Sequence, residues 1–216
     1  MRVEVKVCGL TRAGDARAAA ELGARYIGVI FAGGPRTLDA EAARQVLDGG
    51  GVNVDRVGVF GDADAATIAL AVSVARLDIV QLHADPDAAK VRAIQERSGA
   101  RVWAVVRVDG RLDAGELRAL WKSADAVVLD SKVNGVLGGT GIAFDWREAG
   151  HTTPLAREGR LVVAGGLTAT NVGEAIETLS PDVVDVSSGV ESSPGIKDHA
   201  RIAGFIEAVR RTGVLP

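Results

Sequence analysis

The chain has one cysteine, Cys8, so it cannot form an internal disulfide, and with three scattered histidines it offers no clustered metal-ligand spacing. Such usage fits a reducing, cytoplasmic setting with no structural metal. Positive charge is also short: 25 Lys and Arg face 28 Asp and Glu, a net charge of −3. Nucleic-acid binding, which needs a basic face for the phosphodiester backbone, is not expected. No apolar run reaches the roughly eighteen residues of a membrane span, and the amino terminus runs straight into a strand pattern, so neither secretion nor membrane insertion is expected. Aromatics make up only 4% of the residues. What is plentiful is aliphatic sequence, alanine and glycine, enough for a sizeable core in an ordinary globular protein.

The aliphatic residues fall into eight runs of strand length, at residues 3–8, 26–31, 56–60, 79–83, 102–108, 126–130, 161–165 and 183–187. Between them lie helical segments, among them 15–22, 39–47, 64–75, 86–97, 114–121 and 171–179, and the segment 199–211 closes the chain with Ile202, Ala203, Ile206 and Val209 on one stripe. Asp39, Asp64, Pro86 and Asn171 stand where caps or first-turn residues belong. Eight strand-helix units over 216 residues leave about 27 per unit, close to the minimum for a (β/α)8 TIM barrel and with no room for a second domain. An open doubly wound sheet would alternate in the same way. The polar residues favour closure. In the first strand Val3, Val5 and Val7 share one face while Glu4, Lys6 and Cys8 share the other, and Gln81 with His83, Arg107, Asp130, and Asp185 with Ser187 occupy the carboxyl ends of later strands. Such groups converge only if the sheet closes on itself.

Two longer connections, residues 32–38 and 131–142, follow strand carboxyl ends and read as covers with glycine hinges over one face. The run Gly49 to Gly51 follows a helix and reads as a terminator on the opposite face. Near the carboxyl end, VVAGGLT (162–168) and DVSSGVE (185–191) follow consecutive strands. Either alone is an ordinary tight turn. Together, after the seventh and eighth strands of a barrel, Gly165, Gly166, Ser187, Ser188 and Gly189 form a phosphate cup of backbone amides and hydroxyls.

Four groups invite chemistry. Cys8 reads equally as an inert core thiol or as a nucleophile or base whose ionisation Lys6 would assist. Asp130 ends the run AVVLD and reads either as an innocent loop cap or as a carboxylate whose pKa burial would raise, fitting it for proton donation. Arg36 reads as a solvated charge or as a fork for a carboxylate. Lys6 is a Schiff-base candidate set two residues below the strand end. Gln81 and His83 read as polar filling of the barrel mouth.

Taken together, the residues resemble phosphoribosylanthranilate isomerase of tryptophan biosynthesis. The likeness rests on KVCGLT (6–11), GVIFAGGPR (28–36), VGVF (57–60), VQLH (80–83), VLD (128–130), GGTGIAFDW (138–146), AGGLTATNV (164–172) and DVSSGVESSPGIKD (185–198), in the family's order and spanning almost the whole chain. It implies a cofactor-free Amadori rearrangement of N-(5-phosphoribosyl)anthranilate to 1-(2-carboxyphenylamino)-1-deoxyribulose 5-phosphate. Cys8 would be the general base and Asp130 the general acid. Arg36 would grip the anthranilate carboxylate, Asp185 would lie near the sugar, and the backbone of Gly165, Gly166, Ser188 and Gly189 would hold the phosphate; Gln81, His83, Arg107 and Ser187 complete the expected substrate contacts. The expected partner is a small phosphosugar, with the protein a monomer or homodimer. Two departures are Ala84, where the family usually has glycine, and the extra glycines before Arg36. The related histidine-pathway aminoaldose isomerase uses an aspartate where Cys8 stands, and a catalytically silent phosphosugar-binding barrel is the alternative outside enzymes.

Overall fold

The computed structural model describes residues 3–108, 112–131 and 145–212. Its strands are β1 (Glu4–Val7), β2 (Tyr26–Ile30), β3 (Asp55–Phe60), β4 (Ile79–Leu82), β5 (Arg101–Val108), β6 (Ala126–Ser131), β7 (Arg160–Val163) and β8 (Val183–Val186), which pair in parallel in chain order and close into a barrel. Closure falls between β1 and β8, where Lys6 stands opposite Asp185. The helices α1 (Ala13–Leu22), α2 (Ala40–Asp48), α3 (Ala65–Ala75), α4 (Ala88–Ser98), α5 (Ala114–Trp121), α6 (Trp146–Ala156), α7 (Val172–Leu179) and α8 (His199–Thr212) complete a (β/α)8 TIM barrel. A small hairpin, β9 (Glu191–Ser193) with β10 (Ile196–Lys197), precedes α8.

Strand alternation sorts the core into two parts. One set of side chains, among them Val5, Val7, Ile27, Val80, Leu129 and Val184, packs outward against the helices. The other set fills the barrel: Tyr26, Val57, Ile79, Trp103, Val105, Ala126, Val128, Val162 and Val183. Tyr26 meets Trp103 edge-on, with ring centroids 5.0 Å apart, and its hydroxyl donates to Glu4 at 2.9 Å. Arg160 also pairs with Glu4, so charged groups plug the amino-terminal end. With that end filled, the opposite mouth is where the polar strand ends open.

The predicted caps need two corrections. Asp39 and Asp64 accept from Ala42 N and Thr67 N as expected. The cap of α4, however, is Asp87 rather than Pro86, accepting from Lys90 N at 2.7 Å. Asn171 precedes α7 but does not cap it; its side chain accepts from Thr168 N and donates to Gly166 O, bracing the turn before the helix. Helix α6 was absent from the helices read in the sequence. It carries Pro154 two residues before its end, within the sequence HTTPLA, with Asp145 capping its first turn and Thr153 Oγ1 donating to Ala149 O.

The glycine run after α2 lies at the amino-terminal end, as expected, with Gly51 at φ 76°. There it borders a cavity of about 610 Å³ between β1, α1 and α8 that holds none of the candidate site residues. No helix of the described residues is long and apolar enough to cross a membrane.

Candidate active site

The carboxyl mouth holds a cavity of about 530 Å³ lined by Cys8, Arg36, Gln81, His83, Asp130, Gly165, Gly166, Asp185, Ser187, Ser188 and Gly189. Eleven of the expected site residues thus meet on one space. Arg107 does not join them. It is ion-paired with Asp85 and lines a neighbouring cavity of about 510 Å³ beside α4 and α5. It shares the inward face of β5 with Trp103 and Val105, but its long side chain turns toward the acidic residue on the β4–α4 connection.

Cys8 follows β1 and is buried. Space for it comes from Gly28 on β2: a Cβ there would stand 2.9 Å from Cys8 Sγ and 3.1 Å from Lys6 Cε. Lys6 is fully buried, donating to Asp185 Oδ2 at 2.6 Å and Gln81 Oε1 at 2.8 Å. Burial opposes its charge, but Asp185 and Cys8 outweigh that and hold the ammonium above the ordinary lysine range. A lysine so held is a fixed cation, not the free amine a Schiff base requires. The thiol gains less from it than the sequence led one to expect. Burial pushes the pKa of Cys8 up, Lys6 pulls it down, and Asp185 pushes it up again, for a net rise.

Asp130 ends the inward series Ala126, Val128, Asp130 on β6. It is 7% exposed. Burial first, and then the charge of Asp185, raises its pKa to about 7, against smaller downward pulls from the Ser131 amide, Lys6 and Arg107. This carboxyl is therefore poised between acid and base near neutral pH. Gly165, at φ 84°, passes close beneath it: a Cβ would stand 2.7 Å from Asp130 Oδ1 and 2.5 Å from Ser131 N. His83 Nε2 lies 3.8 Å from Asp130 Oδ2. Burial, then Lys6 and Arg107, lower its pKa, favouring the neutral ring. His83 Nδ1 and Asp185 Oδ1 are buried with no hydrogen-bond partner among the described residues.

The far wall is made by the two glycine-serine turns. The β7–α7 turn has Gly165 and Gly166 at positive φ and is held by Asn171. After β8, Ser188–Val190 forms the expected single helical turn, and a Cβ at Gly189 would meet Leu167 O at 2.0 Å, so the two turns pack backbone to backbone. The connection at residues 32–38 borders the same mouth through Ala32 to Arg36, with Gly33 and Gly34 at positive φ. The other expected cover, 131–142, lies outside the described residues beyond Ser131. Among the described residues no cluster of three His, Cys, Asp or Glu could hold a metal ion.

Arg36 departs from the sequence reading in an instructive way. Its fork is engaged by a carboxylate of the protein itself: Nε donates to Glu191 Oε1 at 2.8 Å and Nη2 to Glu191 Oε2 at 2.6 Å. Glu191 also accepts from Lys197 Nζ at 2.8 Å. Neither Glu191 nor Lys197 was singled out in the sequence. Both sit in a segment of serine, proline and glycine that reads as a solvated turn, yet they are buried.

The family model for N-(5'-phosphoribosyl)anthranilate isomerase matches residues 5–208. The chain belongs to the N-(5'-phosphoribosyl)anthranilate isomerase family. It is 41% identical to the N-(5'-phosphoribosyl)anthranilate isomerase of Acidithiobacillus ferrooxidans over 212 residues, 97% of this chain and 98% of the relative. The crystal structure of phosphoribosyl anthranilate isomerase from Thermus thermophilus superposes with a TM-score of 0.86 at 30% identity, over 97% of this chain and 99% of the other. A phosphoribosyl anthranilate isomerase in complex with reduced 1-(o-carboxyphenylamino)-1-deoxyribulose 5-phosphate matches at a TM-score of 0.83 and 33% identity, again over 97% and 99%. In this member of the phosphoribosylanthranilate isomerase family Cys8, after β1, and Asp130, on β6, face one mouth, with the two turns after β7 and β8 between them as its wall.

Proposed function

We propose that this isomerase converts N-(5'-phosphoribosyl)anthranilate to 1-(o-carboxyphenylamino)-1-deoxyribulose 5-phosphate with Asp130 as general acid and Cys8 as general base. One observation carries the reading: a proton-bearing carboxyl on β6 and a thiol after β1 open on the same cavity as two glycine-serine turns suited to a phosphate. Asp130 donates its proton to the furanose ring oxygen as the C1–O bond breaks, and the anilino nitrogen lone pair forms the iminium. Cys8, as thiolate, removes the proton from C2, and those electrons form the C1–C2 double bond of an enolamine. Loss of the proton on the C2 oxygen and protonation of C1 give the ketone.

The electrostatics divide the labour. Lys6 beside Cys8 offsets part of the cost of a buried thiolate, and the acidity of C2 next to an iminium lets a base formed only in a minor population suffice. Asp185 Oδ2 is committed to Lys6, which leaves Oδ1 to accept from a sugar hydroxyl. The backbone of Gly165, Gly166, Ser188 and Gly189, with the Ser187 hydroxyl, receives the phosphate, and Arg36 receives the anthranilate carboxylate. Residues 1–216 act on this reading as one catalytic domain, cytoplasmic and cofactor-free.

Expression in a tryptophan auxotroph lacking the isomerase tests it. Growth without tryptophan is the expected result. Failure to complement by a folded protein that still binds the phosphosugar, or turnover of the histidine-pathway aminoaldose alone, would defeat the assignment.

A further inference from the structure

The motif ESSPGIK, residues 191–197, has no role in the chemistry above, yet it supplies Glu191, the partner of Arg36, and Lys197, the second cation on Glu191. The guanidinium has five N–H groups on two usable edges. Glu191 takes the edge formed by Nε and Nη2, and among the described residues Nη1 has no hydrogen-bond partner, so the Nη1–Nη2 edge remains for a second carboxylate. Charge is the difficulty. Arg36 and Glu191 alone are a neutral pair, and a buried neutral pair has little attraction for an incoming anion.

Lys197 alters that balance. Its ammonium is buried, 2.8 Å from Glu191 Oε1 and 3.0 Å from Ser187 O. Burial lowers the pKa of Lys197 and Glu191 opposes the fall; with Lys197 protonated, two cations share one carboxylate, and the cluster carries one net positive charge beside the mouth. Burial opposes the charge of Glu191, but Arg36 and Lys197 outweigh it and keep the carboxylate ionised. The hairpin that carries the two residues is tied down on several sides. Lys197 N donates to Asp15 Oδ2 at 3.1 Å, Thr11 Oγ1 donates to Gly195 O, and Arg201 donates to Glu191 O.

We infer that Lys197 and Glu191 are positioning residues for substrate recognition: Glu191 fixes the outer edge of Arg36, and Lys197 supplies the charge that lets Arg36 select a carboxylate-bearing ligand. This rests on the reading of Arg36 as the carboxylate site, and the test separates the two. The probes are reduced 1-(o-carboxyphenylamino)-1-deoxyribulose 5-phosphate and its analogue with an unsubstituted phenyl ring, titrated calorimetrically. Both carry the phosphate, so the ratio of their Kd values reports the carboxylate alone and is insensitive to a partly inactive preparation. Lys197→Gln should cut the preference for the carboxylated ligand at least about tenfold, while Lys197→Arg stays within about threefold of the wild type. The double variant Glu191→Gln/Lys197→Gln removes one charge of each sign but leaves an amide oxygen at position 191 to accept from Arg36, so the net positive charge is restored with Arg36 still held, and the preference should recover toward the wild-type value.

A double variant as indifferent to the carboxylate as Lys197→Gln would make Lys197 a packing element and overturn the inference. A preference unchanged in Lys197→Gln but lost in Arg36→Met would overturn it while leaving Arg36 as the carboxylate site. A preference unchanged in Arg36→Met as well would overturn both. Should Lys197→Gln fail to fold, the double variant, whose one unpaired charge is that of the partly exposed Arg36, decides between recovery and loss.

Discussion

Asp130 is a buried residue whose proton, held near neutral pH, costs stability as the pH rises. Its pKa of about 7 lies far above the 3.8 ordinary for an aspartate side chain. The folded state therefore holds a proton that the unfolded chain releases from about pH 4 upward. The stability tied to that proton is fully present below about pH 4 and is lost as the pH rises through about 7. Asp130→Asn, neutral at every pH, should consequently raise the free energy of unfolding at pH 8 by up to a few kcal/mol, at roughly 1.4 kcal/mol for each pH unit of the interval, and change little at pH 4. Denaturant titrations at the two pH values check this; equal effects at both would contradict it. With Asp130 as the general acid proposed above, wild-type turnover should decline as the pH rises past about 7.

Cys8→Ala and Asp130→Asn should each lower kcat by at least about 10²-fold, the usual scale for losing a general base or acid. Steady-state kinetics distinguish this from a change confined to KM, which would make both groups binding residues only. Cys8, Asp130 and Asp185 were legible in the sequence because a polar residue at the end of an aliphatic strand has few innocent explanations. Glu191 and Lys197 were not. Nothing in ESSPGIK signals burial, which comes from packing against α1 and Arg36, partners distant in the chain.

At the scale of elements, strand periods and turn chemistry were readable, and the eight strands lie within a residue or two of where the aliphatic runs put them. Helix α6 was hidden because Thr152, Thr153 and Pro154 are poor helix formers in its second half. The helix persists through tertiary contact: Trp146, Ala149, Thr153 and Ala156 are all buried. The cap at Asn171 was misread for a related reason, since the sequence cannot say which backbone group a capping side chain will choose.

The β7–α7 turn is the element most tightly coupled to the site. Gly165 combines a left-handed backbone with contact against Asp130 and Ser131. Gly165→Ala should cost at least about 1 kcal/mol of stability and, by displacing Asp130, lower kcat more than it raises KM. Thermal melts alongside kinetics check both parts; a stable variant with normal kcat would show that the turn tolerates the added carbon.

For the whole molecule, alternation of strands and helices left a barrel and an open sheet in competition, and the polar strand ends decided correctly for closure. Closure depends on α8 as well as on β8. Ile202, Phe205, Ile206 and Val209 are buried, and His199 Nε2 reaches Asp15 on α1 at 2.8 Å. A chain ending before His199 should lose this cover over β1 and β8 and fail to unfold cooperatively, as followed by circular dichroism; a sharp two-state melt with native helicity would contradict it.

The ion pair across the seam also imposes an order of events on the newborn polypeptide. The partner of Lys6 lies 179 residues further along, a distance the ribosome covers in roughly ten to forty seconds. Until then a lysine destined for the dry interior lacks its Asp185 counter-charge, and burying it would cost several kcal/mol. β1 and β8 must meet before Cys8 acquires the neighbours Lys6 and Asp185 that set its ionisation.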